Sequence, residues 1–366
     1  MNKQACTPPT GLLLLPHLRV QNANAISSPL TWGFPSPSAF LGFVHALERR
    51  LSDQYRQVFG GVGIVCHGFE AQTCKPNRRQ HLIFAQSRNP VYLKNDAAKF
   101  INQGTPPAIV EEGRAHLEVS LVIAVQGGFQ EAQEEQDFAD TAYQTALGMR
   151  LAGGSMLPVP ARRASRPQWL PWPGVAADQR SAFVRLRRRL LPGFALVHRP
   201  DLLAGRLEKL KTESKGTPTD VLDALLDLTG LNHLPAILSP ETRSEGDLPT
   251  TQSPLADQLP PKVEWHVEKH PGWLVPLPIG YAGISPLYAA GEVAATRDGR
   301  TPFRFVESLY SLGQWIGPHR LSQLEQLLWH SSAELETGLY RCVNRYSDTL
   351  AKTEPQILKE LNHGQI

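Results

Sequence analysis

The segment GRAHLEVSLVIAVQG, residues 113–127, constrains the fold more than any other stretch. Ala115, Leu117, Val119 and Leu121 alternate with His116, Glu118 and Ser120. Period-two alternation sends successive side chains to opposite faces of a sheet, so the segment reads as a half-buried β-strand. A strand needs partners, and the flanking sequence offers them. Residues 12–20, within GLLLLPHLRV, read as a first strand, and residues 61–73, GVGIVCHGFEAQT, as a second. Residues 38–51 read as a helix, with Phe40, Phe43, Val44 and Leu47 at helical spacing and Ser36 or Ser38 as its cap. Residues 131–149 read as another, with Phe138, Ala142, Thr145 and Ala146 on one stripe. RLAGGSMLPV, 150–159, starts as a glycine turn and ends as a short strand. The order is β-α-β-β-α-β, with a polar, proline-punctuated excursion over 75–112. That is the ferredoxin-like order, shared by RNA-recognition modules, and the topology alone carries no function.

Beyond residue 160 the pattern changes. ARRASRPQWLPWPG is a Pro/Arg/Trp loop, and AFVRLRRRLLPGFALVHR is a basic helix or strand ending at Pro192–Gly193. Residues 201–232 read as helical. Residues 239–262 lack periodicity and are rich in Ser, Thr, Pro and acid, which predicts a disordered or loose linker. The tail reads as strand pieces followed by two helices, 303–315 and 318–330. The expected divisions are therefore a head, 11–160; a basic segment with helices, 161–235; a linker, 236–262; and a mixed α/β tail, 263–346.

A chain of 366 residues with 41% hydrophobic content can bury a sizeable core and suggests two domains. The net charge of +3 hides an asymmetry. Residues 150–215 hold 14 Lys/Arg against 4 Asp/Glu, a local +10, so the remainder is at −7. A basic centre of this kind points to a polyanion partner. The four cysteines, at 6, 66, 74 and 342, form neither a CxxC pair nor a zinc-ligand spacing with histidine, and read as reduced thiols. GLLLLP is too short for a signal segment, and no apolar run reaches spanning length. A cytoplasmic protein without a cofactor, metal or membrane association is expected.

Four features carry candidate chemistry, and each has a plainer alternative. Arg185, Arg187, Arg188 and Arg189 form either a solvated helix face or a phosphate-binding run, since guanidinium forks match phosphate oxygens. RLAGGS is either a tight turn or a place where glycine N–H groups meet a phosphate. QNANAISSPLTWGFPSPSAF, 21–40, either caps and turns the chain or reads base edges with its amides while an aromatic stacks. His17, His67 and His116 lie in predicted strands, where they are either structural or the acid/base groups of a metal-independent ribonuclease.

LLLLPHLRVQNANAISSPLTWGFPSPSAFLGFVHAL, GVGIVCHGFEAQ, IVEEGRAHLEVSL, MRLAGGSMLP, RRLLPGFALV, PGWLVPLPIGY, SPLY and TPFRFVESLYSLGQWIGPHR together resemble the family of second Csy subunits of type I-F CRISPR surveillance complexes, a Cas-five-type branch of the RAMP superfamily. The resemblance spans about 11–345. It implies a ferredoxin-like RAMP head whose 75–112 excursion is a thumb. It implies a non-catalytic subunit that holds the 5′ handle of the CRISPR RNA. It also implies a heterodimer with the large Csy subunit, contact with an adjacent backbone RAMP subunit, and foreign-DNA targeting through the assembled complex. On this reading the RNA contacts are Asn22, Asn24, Ser27, Ser28, Trp32, Arg114, Arg150, Gly153, Gly154, Ser155, Arg162, Arg163, Arg185, Arg187, Arg188 and Arg189. The alternative is a metal-independent endoribonuclease acting on CRISPR repeat RNA.

Overall fold

The computed structural model describes residues 8–75, 82–84, 98, 102–104, 113–159, 166–213, 218–237, 263–268, 270–296 and 298–350. Its first elements are β1 (Gly11–Asn24), α1 (Pro37–Leu51), β2 (Val58–Ala71), β3 (Thr73–Cys74), β4 (Ile83–Phe84), β5 (Arg114–Gln126), α2 (Ala132–Leu147), β6 (Arg150–Leu151) and β7 (Gly154–Leu157). β8 (Gln168–Pro171), α3 (Ala176–Arg189) and β9 (Phe194–His198) follow. Four further strands, β12 (Trp273–Gly283), β13 (Val306–Ile316), β14 (Leu328–Glu334) and β15 (Leu339–Asn344), join the same sheet. Most of the predicted excursion, the 238–262 stretch, Arg162, Arg163 and residues 351–366 lie outside the described residues.

β5 is central, antiparallel to β1 on one side and to β2 on the other. β7 extends the sheet beyond β1, so the strands run β2-β5-β1-β7 in space. The alternation along β5 sorts two cores. Ala115, Leu117, Val119, Leu121 and Ile123 face α1 and α2, where Phe40, Leu47 and Phe138 are fully buried. Val122 and Ala124 face the opposite way, onto Phe183, Leu186 and Leu190 of α3 and its C-terminal end. Full burial of each such Leu or Phe stabilises by roughly 1.5–3 kcal/mol. α1 starts at Pro37, whose missing N–H costs nothing in a first turn, and ends with Arg49 and Arg50 beside its free carbonyls. Ser36 is the N-cap by position, but its hydroxyl pairs with Ser38 Oγ at 2.6 Å and makes no capping bond.

The far edge of β2 is shared. Val65 and Cys66 pair with β9, while Val62 and Gly63 pair with β14. The path β2-β9-β13-β12-β15-β14 therefore returns to β2 and closes a ring of six strands. Trp329 sits in it fully buried, its indole N–H donating to Leu196 O at 2.8 Å.

This corrects the expected tail. Residues 303–315 and 318–330 are not α-helices: β13 occupies most of the first, and the second holds 3₁₀ turns at Pro318–Arg320 and Leu324–Gln326 before β14 begins at Leu328. The spacing Leu321, Leu324, Leu327 suits a 3₁₀ turn, which repeats every three residues, as well as an α-helix. All three leucines are buried against α3. Nor does the chain divide at 160 or 262. Residues 1–200 and 275–366 form one compact unit and 201–274 a second. The second holds α4 (Pro200–Glu213), α5 (Val221–Thr229) and an antiparallel pair, β10 (Asn232–Ile237) and β11 (Val263–Glu268). Asp220 and Asp223 cap α5 reciprocally, and Arg206 Nε donates to Asp227 Oδ2 at 2.6 Å.

Candidate nucleic-acid interface

β1 is interrupted by two bulges, after Leu15 and after Val20. A bulge sets two residues against one on the partner strand, re-aims side chains and raises local twist. His17 occupies the first with φ 52° and Asn22 the second with φ 57°. Asn and His are among the few non-glycine residues that adopt this left-handed geometry readily. At the second bulge the Asn22 N–H donates to His116 Nδ1 at 3.3 Å, and Arg114 Nη1 donates to Asn22 O at 3.5 Å. Gln72, just past β2, is held by its own N–H donating to Arg114 O at 2.8 Å. Its side-chain amide meets both Asn22 Oδ1 and, at 3.2 Å, His116 Nε2.

The β6–β7 hairpin closes the other side. Ala152 and Gly153, with φ 49° and 75°, make its two-residue turn. Its glycines differ in role. A Cβ on Gly153 would meet only open space, so the backbone there is approachable. A Cβ on Gly154 would lie 2.7–2.8 Å from Val20 Cγ1, Ala23 N and Gln21 O, so Gly154 lets the hairpin press against β1. Asn22, Gln72, Arg114, Arg150, Gly153 and Ser155 together line a cavity of about 290 Å³. Two guanidinium groups, a hydroxyl and an exposed glycine turn suit a phosphate; two carboxamides suit a base edge. Among the described residues that line it, none is acidic.

Five residues singled out from sequence thus converge here: Asn22, Arg114, Arg150, Gly153 and Ser155. Gln72 and His116 are partners of Asn22 that the sequence does not announce, because their meeting depends on the bulge that sets β1 against β5. Three other candidates are engaged in the loop itself. Asn24 Nδ2 donates to Ile26 O at 2.8 Å while its Oδ1 accepts from Ile26 N. Ser27 Oγ accepts from Ser36 N at 3.3 Å. Ser28, buried, bonds Thr31 Oγ1 at 2.7 Å and accepts from the Leu30 and Thr31 amides. Trp32 is 66% exposed, with its ring edge-on to Phe84 at 5.2 Å.

The arginine run lies elsewhere, on α3. Arg187 Nη1 donates to Leu321 O at 2.6 Å, and Arg189 Nη1 donates to Gln168 Oε1. Arg185 and Arg188 are exposed. Arg187 therefore ties α3 to the C-terminal part of the sheet rather than facing outward with its neighbours.

His17 and His67 stack, ring centroids 4.2 Å apart. His17 Nδ1 lies 2.8 Å from Glu118 Oε1. His67 Nδ1 faces Pro192 O at 2.5 Å and its Nε2 faces Ser120 Oγ at 2.7 Å, while Ser120 Oγ accepts from His17 N at 3.0 Å. A carbonyl can only accept, so the His67 proton sits on Nδ1 and Ser120 donates to Nε2. Burial pushes the His67 pKa below the ordinary imidazole value, and His17 beside it adds to the effect. Among the described residues, no group of three or more His, Cys, Asp and Glu side chains is arranged to hold a metal ion. Among them, too, no helix is long and apolar enough to cross a membrane.

The sequence has counterparts among known proteins. The family model described as CRISPR-associated protein (Cas_Csy2) matches residues 13–342. The chain belongs to the Csy2 family. It is 49% identical over 337 residues to the CRISPR-associated protein Csy2 of Pseudomonas aeruginosa strain UCBPP-PA14, covering 92% of this chain and 95% of that one. The Csy2 match spans β1 through most of β15. All six cavity-lining residues and most of the closed ring are thus inside the family's shared region.

Proposed function

We propose that this Csy2-family chain is a non-catalytic, RNA-binding subunit of a type I-F CRISPR complex that holds the 5′ handle of the CRISPR RNA. One observation carries the reading: Asn22, Arg114, Arg150, Gly153 and Ser155 converge on a cavity of about 290 Å³ with no acid among the described residues that line it. In it, Arg114, Arg150 and the Gly153 turn grip a phosphate, and carboxamides meet a base. Phosphate contacts position a strand and base contacts specify it. Trp32, exposed in the loop between β1 and α1, offers a stacking surface. The spatial order β2-β5-β1-β7 supports a ferredoxin-like, Cas-five-type RAMP head. The large Csy subunit, an adjacent backbone subunit and, through the assembly, target DNA are the partners this role requires, in the cytoplasm.

The test is purification of the full chain with its complex, followed by recovery and sequencing of bound RNA. A discrete RNA that disappears on Arg114→Ala/Arg150→Ala substitution supports the reading. A complex that assembles with RNA unaffected by that double substitution overturns it.

The endoribonuclease reading has one observation on its side, the meeting of His17, Glu118 and His67. Both ring nitrogens of His67 are committed to protein partners, so that ring has no proton to exchange without losing a bond. Cleavage of repeat RNA in the presence of EDTA, abolished by His17→Ala, would reinstate it.

A further inference from the structure

We infer that Gln72 and His116 form a relay that fixes the orientation of the Asn22 carboxamide, and that Asn22 so held reads an adenine base. This rests on the RNA-binding reading above and assigns a specificity-determining residue and its two positioning residues within that cavity.

A backbone group sets the direction of the relay. The Asn22 N–H can only donate, and it points at His116 Nδ1 from 3.3 Å. His116 Nδ1 must therefore accept, which leaves the ring proton on Nε2. His116 Nε2–H then faces the side-chain amide of Gln72 at 3.2 Å. Two donors cannot share that contact, so the Gln72 end that meets the imidazole is its carbonyl oxygen. The two ends of a carboxamide are assigned from such networks, since their shapes are nearly the same. The same end of Gln72 also meets the Asn22 carboxamide, at the position given above as Oδ1, so the two amides are reversed together. The group that Asn22 turns toward it is accordingly its NH2. The order is His116 Nε2–H to Gln72 Oε1, with Asn22 Nδ2–H donating to that same oxygen.

The consequence falls on the ligand side. Asn22 keeps its Oδ1 and one N–H of Nδ2, an acceptor and a donor side by side. That pair is the bidentate match for adenine, whose exocyclic amine donates and whose ring nitrogen accepts. Left-handed backbone at φ 57° puts this side chain at the bulge, and Arg114, bonded to Asn22 O, holds the bulge from beneath. Without the relay the carboxamide could turn over and present the donor where adenine needs an acceptor.

The test measures binding of the full chain, freed of RNA in high salt, to single-stranded r(A)6 and to the hexamer of purine riboside, which lacks the exocyclic amine. A bidentate base contact predicts about a tenfold preference for r(A)6. Asn22→Gly, which tolerates the left-handed backbone, and Gln72→Ala are expected to abolish the preference. Gln72→Glu is the deciding variant. Its carboxylate keeps the acceptor that the relay needs and discards the amide donor. It should weaken both hexamers alike, by charge, and retain the preference. If Gln72→Glu loses the preference as fully as Gln72→Ala, the relay is wrong. If the wild-type chain binds both hexamers equally, the adenine assignment is wrong while RNA binding stands. If it binds neither, the RNA-binding reading itself falls. A thermal melt of each variant distinguishes a missing interaction from a failure to fold.

Discussion

The imidazoles of His17 and His67 stack at 4.2 Å although they come from strands that do not pair with each other; both flank β5, and Ser120 of β5 bonds to both residues. His67 Nδ1–H holds the Pro192 carbonyl and so ties the turn after α3 to the sheet, whereas protonation at Nε2 would cost the bond that Ser120 donates.

The first prediction follows from the direction of the His67 shift. The folded state holds the His67 pKa below the ordinary value of 6.5. The unfolded state therefore binds the proton more readily, and stability must fall as pH drops below about 6.5. Above that value the contribution is fully present. Thermal melts between pH 7.5 and 5.5 should show a steeper decline in the wild type than in His67→Gln. Equal slopes would mean that His67 titrates alike folded and unfolded.

The second concerns the two glycines of the hairpin. Gly154→Ala places a methyl group 2.8 Å from backbone atoms of β1, which cannot turn aside. A cost of about 1–3 kcal/mol is expected from overpacking of this kind. Gly153→Ala meets no neighbour and costs only its left-handed backbone, about 1–2 kcal/mol. Urea unfolding measures both. Only Gly154→Ala should also separate the hairpin from β1, read as faster amide exchange at Ser155 and Met156.

The third separates two arginines of α3. Arg187→Ala leaves the Leu321 carbonyl without its charged donor and should cost about 1.5–3 kcal/mol. Arg188→Ala, on the exposed side, should stay within about 0.5 kcal/mol. Chemical denaturation of the two variants gives the comparison, and equal effects would remove the structural role assigned to Arg187.

A fourth concerns salt. Deleting one cation that neutralises a phosphate of a single strand removes about 0.7 from the slope of log affinity against log salt. Arg114→Ala and Arg150→Ala should each do so. Asn22→Gly should leave the slope unchanged. Affinities at four salt concentrations resolve the difference.

A fifth uses thiol reactivity. Burial raises the Cys66 thiol to about 11 and the Cys342 thiol to about 12, whereas Cys74 is exposed. Brief alkylation at pH 8 should label Cys74 and spare Cys66 and Cys342 until the chain is unfolded. Peptide mass spectrometry reads the outcome, and early labelling of Cys342 would place it outside the core.

Much of the first half was legible because its periodicities are unambiguous. β5 alternates cleanly, and α1 carries a stripe from Phe40 to Leu51. The cavity was partly legible for a similar reason: a glycine pair between Arg150 and Ser155 marks a tight turn, and amides beside a strand stand out. Other parts depend on distant partners. Asn24, Ser27 and Ser28 look like ligand donors until the loop is closed on itself. Gln72 and His116 reach Asn22 only through the register at a bulge. β13 became a strand because β9 lies alongside it, from Ala195 to His198, and no local pattern near residue 306 encodes that neighbour.

The ring of strands through β2 has a consequence for synthesis. Val62 and Gly63 find their β14 partners only when Leu328 and Trp329 have been made, long after β2 itself. Until then the ribosome holds a nascent chain whose second strand has one edge half open. Pairings so distant in sequence form slowly, and an open edge invites pairing with other chains. Truncations upstream of residue 328 should therefore accumulate as aggregates rather than as a stable amino-terminal half.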